Sequence, residues 1–315
     1  MHGALIVDKP SGPTSHDVVA VARRALHIRQ IGHTGTLDPL ATGVLVLLVG
    51  RATRLSQFIV QDQKEYVAEI RLGVATATYD AEGLSHNSQL PTPNSQLPTP
   101  NAQLSTPNSQ LSTLESGIGS LDNVLDDFRG TFLQTPPPFS AKKVDGRRAY
   151  EQARKERPVA VKPVQVTIHD LERLPSPAPM LIRLRMVVSA GFYVRSLAHD
   201  VGQRLGCGAH LEALRRTRSG PFSIDDSITL DTLMRGAPAV LPMNRLLQHI
   251  PAVTLSDEGL RRASRGNVIS FGHITGSSVG DVHEGRIRLL APDGELVAIG
   301  VRDARAFLHP EVVLV

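Results

Sequence analysis

The chain has no tryptophan, four tyrosines and one cysteine, Cys207, among its 315 residues. A single thiol excludes an internal disulfide framework and a multi-cysteine zinc cluster, as expected in a reducing compartment. The twelve histidines are scattered without the HExxH spacing, so no metal site is expected. No apolar run outlasts Val44–Val49, far short of a membrane span, and the opening "MHGALIVDKPSG" lacks the charged start and long apolar core of a signal peptide. A cytoplasmic protein is expected. Also missing are GxxxxGK(S/T), a strand-linked GxGxxG and GxSxG, which leaves nucleotide hydrolysis and serine-hydrolase chemistry without support.

What is present begins with a 41% apolar content, enough to bury a core, and a formal charge of only +4. The basic residues are skewed to 28 arginines against 6 lysines, and the guanidinium suits forked contacts with phosphate. Their distribution is uneven. Eight basic side chains (Lys142, Lys143, Arg147, Arg148, Arg154, Lys155, Arg157 and Lys162) face three acids between 142 and 162. A solvated face and a nucleic-acid footprint both fit this stretch.

Along the chain, "PTSHDVVAVARRALH" sets Thr14 three residues before Asp17 and spaces Val18, Val19, Ala22 and Leu26 for a capped amphipathic helix. Residues 44–50 read as a buried strand ended by glycine and 65–73 as an alternating one. "NSQLPTP", "NSQLPTP", "NAQLSTP" and "NSQLSTL" then fill 87–114 with four seven-residue copies. Such polar, proline-bearing units cannot bury a core, so 84–120 is expected to be a disordered surface insertion. Beyond it, "LIRLRMVV" (181–188) alternates, "SAG" turns, and "FYVR" resumes a strand. A short helix capped by Ser196 and carrying Leu197, Val201 and Leu205 follows, and "LEALRRTR" (211–218) suggests another helical turn or two. From Pro251 the texture is that of a small β domain, with a hairpin turn at Asp293-Gly294.

The stretch "GHTGTLDPLATG" (32–43) holds one carboxylate, Asp38, fixed against a proline. Taken alone, Asp38 reads as the cap of a helix beginning at Pro39 and His33 as a loop histidine bonded to nearby backbone. Its setting is more specific. "GHTGTLDPLATGVLVLLVGRATRLSQ" closely resembles the signature of the TruB family of bacterial tRNA pseudouridine synthases. "LIVDKPSGPTSHDVV", "KEYVAEIRLG", "FRGTFLQTPPPFSAKKVDGRRAYEQAR" and "GFYVRSLAHDVGQRLGCGAHLEALRRTRSGPF" match in order, and the C-terminal segment resembles a PUA-type RNA-binding domain. Only the repeats fall outside.

The resemblance implies an α+β fold: a pseudouridine synthase domain over 1–250, with a mixed or antiparallel central sheet flanked by helices, and a PUA-like β domain over 251–315. It implies isomerisation of uridine to pseudouridine at position 55 in the T arm of tRNA, by a monomer acting on a base flipped from its stack. Breaking N1–C1′ and rejoining through C5 changes no redox state, so no cofactor is expected. Asp38 becomes the catalytic carboxylate, as nucleophile toward C1′ or C6 or as a base toward a sugar proton; each route needs it ionised. Arg195 is the implied partner that keeps its charge. Tyr66 is implied to stack on the uracil and to manage the C5 proton, Tyr193 to line the substrate site, Leu214 to touch the substrate, and His33 to assist flipping. Lys64 is another matched residue. The segment 136–165 corresponds to an element clamping the T arm, making Lys142, Lys143, Arg147 and Arg148 RNA contacts, a surface extended by Arg215, Arg216 and Arg218. Ala77 departs from the family, which carries an acid there. A tRNA-binding chaperone without catalysis is the rival reading, and a glycoside hydrolase would need a second acid beside Asp38.

Overall fold

The computed structural model describes residues 1–60, 63–83, 85–86, 121–139, 143–144, 147–148, 162–236, 238–275 and 285–315. The repeats at 87–114, Lys142 and most of the basic stretch lie outside the described residues. The chain divides into two compact units, Met1–Asp62 with Ser219–Val315, and Gln63–Arg218.

In the first unit, strand β1 (Gly3–Lys9) is followed by helix α1 (Ser15–Leu26), β2 (Ile31–His33) and β3 (Thr42–Val49). β3 is buried from Gly43 to Val49 and lies antiparallel to both β1 and β2, with Ile6 opposite Val46 and His33 opposite Leu47. Its unbroken apolar run reflects cover on both faces. α1 starts where the sequence predicts. The Thr14 side chain accepts from the Asp17 amide while the Asp17 carboxylate accepts from the Thr14 amide, and Val18, Val19, Ala22 and Leu26 are buried.

The second unit contains β4 (Lys64–Leu72), a helical segment at 121–126, β5 (Gly130–Gln134), β6 (Val164–Ala178), β7 (Leu181–Val188), α2 (Val194–Arg204) and β8 (Ala209–Ser219). Its sheet order is β8-β4-β7-β6-β5. β4 alternates strictly, burying Lys64, Tyr66, Ala68, Ile70 and Leu72. Its other face turns Glu65 and Glu69 toward Arg185 and Arg183 on β7.

Two predicted elements differ. Residues 211–218 form part of β8 rather than a helix. "FYVR" does not continue a strand, because α2 begins at Val194 with Tyr193 as its N-cap residue. The Gln134 side chain acts as a strand partner would, accepting from the Tyr193 amide (2.8 Å) and donating to its carbonyl (3.0 Å). Ser196 is therefore inside the helix, and its Oγ donates to Thr135 O at 2.7 Å.

The chain returns to the first unit through β9 (Ile228–Thr229), α3 (Leu230–Arg235) and β10 (Leu241–Pro242). β9 runs parallel to β1 and β10 antiparallel to it, which makes this sheet mixed. A separate C-terminal sheet follows, built from β11 (Ala252–Leu255), β12 (Ile274–Thr275), β13 (Arg286–Leu290), β14 (Leu296–Arg302) and β15 (Leu308–Val313), with α4 (Asp257–Ser264) packed on it. Its order is β12-β11-β13-β14-β15, and the β13–β14 turn carries Gly294 at φ 85°, at the predicted Asp-Gly step. Val253, Leu255, Ile287, Leu289 and Leu308 form its own core, while Leu296, Ile299 and Leu314 join Ile6, Val46 and Leu55 in a second cluster. The α+β class holds. No helix among the described residues is long and apolar enough to cross a membrane.

Candidate active site

The loop carrying Asp38 is built by contacts from the β1–α1 connection. Ser15 Oγ donates to Leu37 O (3.0 Å) and accepts from Leu37 N (2.8 Å), so one buried hydroxyl satisfies both main-chain groups of the residue before Asp38. On the other side, Pro39 O accepts from Gly12 N at 2.9 Å and from the fully buried Lys9 Nζ at 3.2 Å. Gly12 makes this approach with φ 106°, a conformation that favours glycine. Lys9 Nζ also donates to Pro10 O at 2.8 Å.

Asp38 is half-buried between Leu37, 3% exposed, and Ala41, fully buried. Its carbonyl accepts from Ala41 N at 3.1 Å. This closes a turn with Pro39 in the position a fixed φ suits, and no helix starts there, which corrects the cap reading. His33 ends β2 and meets the ring of His16 edge-on, centroids 5.2 Å apart at 86°.

The second unit contains an arginine-centred arrangement. Arg195, in the first turn of α2, is 7% exposed. Its Nη1 reaches Asp80 Oδ2 and Thr78 O, each at 3.2 Å, and Nη2 donates to Phe139 O at 3.0 Å. The Asp80 side chain is 3% exposed, and its other oxygen accepts from Thr78 Oγ1 and from Glu82 N at 3.2 Å. A buried ion pair with its remaining lone pairs satisfied is the kind that holds a geometry; removing one partner typically costs about 3–5 kcal/mol. α2 sits closely on the start of β8, since a Cβ on Gly202 would lie 2.2 Å from Ala209 N.

Tyr66, 9% exposed, and Lys64, 7% exposed, point to the same face of β4, opposite Met186 and Val188 of β7. Leu214 is likewise buried at 9%, on β8 and not on a helix. Tyr193 is half-buried at the head of α2. Arg216 is 2% exposed, Arg218 is exposed and Arg215 intermediate. Lys143 and Val144 pair as backbone with Arg148 and Arg147 in a short hairpin.

With this geometry in view, two family models match. The TruB family pseudouridylate synthase N-terminal domain covers residues 23–118 and 99–194, and the tRNA pseudouridylate synthase B C-terminal domain covers 195–248. A tRNA pseudouridine synthase B of Solibacter usitatus is 38% identical over 100% of both chains. That of Aquifex aeolicus is 40% identical, over 81% of this chain and 83% of its own. The chain belongs to the TruB family. Among solved structures, the archaeal box H/ACA sRNP Nop10-Cbf5 complex has a chain with TM-score 0.67 and 26% identity, covering 99% of this chain and 86% of that one.

Sequence reasoning missed two residues around the Asp38 loop and two in the Arg195 arrangement. Lys9 and Ser15 carry weak signals, a lysine closing an apolar strand and a serine before a helix. Asp80 lies three residues beyond Ala77, where the family acid was sought; Thr76 Oγ1 and Thr78 Oγ1 both bond to Asp80 and shape that turn. Gln134, 1% exposed, gave no signal beyond its matched segment. Among the described residues no three His, Cys, Asp or Glu side chains are grouped as a metal would require.

Proposed function

We propose that this chain isomerises uridine 55 in the T arm of tRNA to pseudouridine, with Asp38 as the reacting carboxylate. The single observation that carries the reading is the loop itself: a half-buried aspartate whose two neighbours are tied to Ser15, Gly12 and Lys9. Such fixation suits a group that must meet a reacting atom at near-contact distance. Full-length relatives named tRNA pseudouridine synthase B support the substrate.

In this reading the uridine leaves its stack at a cost of roughly a few kcal/mol and enters a pocket. Tyr66 stacks on the base, Tyr193 and Leu214 line its site, and His33 takes the space it vacates. Arg195 accompanies the Asp38 carboxylate and favours its charged form. Lys64, Lys143, Arg147, Arg148 and Arg215 contact the RNA, and phosphate contacts of this kind set register rather than sequence. The catalytic domain spans 1–250 and a PUA-like domain 251–315. The protein acts as a cytoplasmic monomer, without a cofactor.

The test is incubation of unmodified tRNA transcript with purified protein, followed by pseudouridine-specific chemical labelling and primer extension. A stop at the T loop is expected; its absence after prolonged incubation overturns the reading.

A further inference from the structure

Tyr79 holds a backbone conformation that its residue type disfavours. Its φ is 65°, in the left-handed region where a bulky aromatic residue is an outlier. Such strain persists where the surroundings over-determine it. Three contacts do so here. Tyr79 O accepts from Leu211 N at 3.0 Å, Tyr79 N donates to Thr76 O at 3.3 Å, and the ring lies flat on that of His199, centroids 3.8 Å apart at 11°.

The positions of these two rings give the stack a consequence. Tyr79 immediately precedes Asp80, and His199 follows Arg195 by four residues on α2, hence on the same helix face. The stack therefore ties together the two elements that carry the two halves of the Arg195–Asp80 ion pair. His199 Nδ1 is buried and meets no hydrogen-bond partner among the described residues, so the imidazole contributes its face rather than that nitrogen. Burial favours its neutral form and the protonated form of the Tyr79 hydroxyl, the latter reinforced by Asp200.

We propose that Tyr79 and His199 are positioning residues, whose ring stack clamps the turn bearing Asp80 against α2 and so fixes the Arg195 guanidinium for the reaction. The proposal rests on the functional reading above and adds to it two residues that touch neither substrate nor the reacting atoms. A stacked ring pair is sensitive to shape and offset, which makes it a better spacer than two flexible side chains.

The test compares Tyr79→Asn, Tyr79→Phe, His199→Ala and His199→Phe in tRNA pseudouridylation, tRNA binding and thermal melting, each alone and combined with Asp80→Asn. Asparagine tolerates the left-handed backbone, so Tyr79→Asn removes the stack while keeping the turn. Tyr79→Asn and His199→Ala are expected to lower kcat roughly ten- to a hundred-fold, the scale of a misplaced catalytic geometry, with the tRNA Kd unchanged. Both phenylalanine variants should recover most of that loss. On the Asp80→Asn background the same changes should add little, because the group they position is already altered. Wild-type kcat in Tyr79→Asn, or a full independent drop on the Asp80→Asn background, overturns the proposal. If His199→Ala fails to fold, Tyr79→Asn and the phenylalanine variants decide. If the wild-type chain makes no pseudouridine, the functional reading falls, and coupling between Tyr79→Asn and Asp80→Asn in melting still tests the clamp: additivity there overturns it.

Discussion

Ser15 and Leu37, 22 positions apart, are joined by a single hydroxyl that both donates to and accepts from the Leu37 main chain. Ser15→Ala should therefore leave a buried N–H and a buried C=O unsatisfied, at about 1–3 kcal/mol each at most. The expected outcome is a lower denaturation midpoint and a lower kcat, with the tRNA Kd changed less than either. Equilibrium unfolding and single-turnover kinetics on the same samples measure both.

Asp38→Asn keeps the shape of the loop, since the Ala41 N to Asp38 O bond and the bonds that Ser15, Gly12 and Lys9 make to Leu37 and Pro39 all end on main-chain atoms that the substitution leaves in place. Only the anionic oxygen is lost. Product formation should fall below detection while tRNA binding stays within about two-fold, because a residue used only in the chemical step leaves ground-state binding intact. Filter binding alongside the labelling assay separates the two.

The elements legible in the sequence are those whose signal is local. The Thr14/Asp17 box, the α1 stripe, the β3 run and the β4 alternation each depend on periodicity or capping within one segment, and each is where it was expected. Residues 211–218 misled because Leu, Glu, Ala and Arg are good helix formers, and the spacing of Leu211 and Leu214 fits a helix. Pairing in the sheet of the second unit overrides that preference, as it commonly does for strands. Tyr193–Arg195 misled for the converse reason: its aromatic and β-branched residues favour a strand, but Gln134 supplies the strand-like hydrogen bonds from a side chain. The site shows the same divide. Asp38 is marked by its surrounding motif, whereas the Asp80 partnership with Arg195 joins positions 115 apart, a relation no local pattern carries.

Arg195→Lys should not substitute for arginine. The guanidinium reaches Asp80 Oδ2, Thr78 O and Phe139 O from two of its nitrogens, and an ammonium offers no matching planar fork. Asp80→Ala should cost more stability, about 3–5 kcal/mol, by removing the buried carboxylate that the Arg195 guanidinium meets at 3.2 Å. Chemical denaturation of both variants tests the ranking, with Asp80→Ala expected below Arg195→Lys in midpoint.

Deletion of 87–114 should leave pseudouridine yield and melting temperature close to those of the parent chain. The repeats are polar and proline-bearing, with little apolar surface to contribute to a core. Loop-closure entropy changes slowly with length, so removing 28 residues from a long connection shifts stability by less than about 1 kcal/mol. A severe loss of yield would assign the repeats a role in the RNA complex.

Asp200 gives stability a definite pH dependence. Burial raises its carboxyl to about 6 from the ordinary 3.8, with Arg204 pulling the other way. The raised value means the folded protein prefers the neutral acid. The sign follows: below pH 3.8 both folded and unfolded chains hold the proton and Asp200 costs nothing on this account, while from pH 3.8 to about 6 the unfolded chain gives it up first. Above pH 6 the burial penalty is complete. Asp200→Asn, neutral throughout, should therefore melt higher than the parent at pH 8, and the advantage should shrink as pH falls through 6 and largely disappear near 4. Since Asp200 is only partly buried, solvent screening reduces the size of this gain without changing its direction. Parallel thermal melts at pH 4, 6 and 8 measure it, and a constant difference across that range would show that the side chain acts through packing rather than charge.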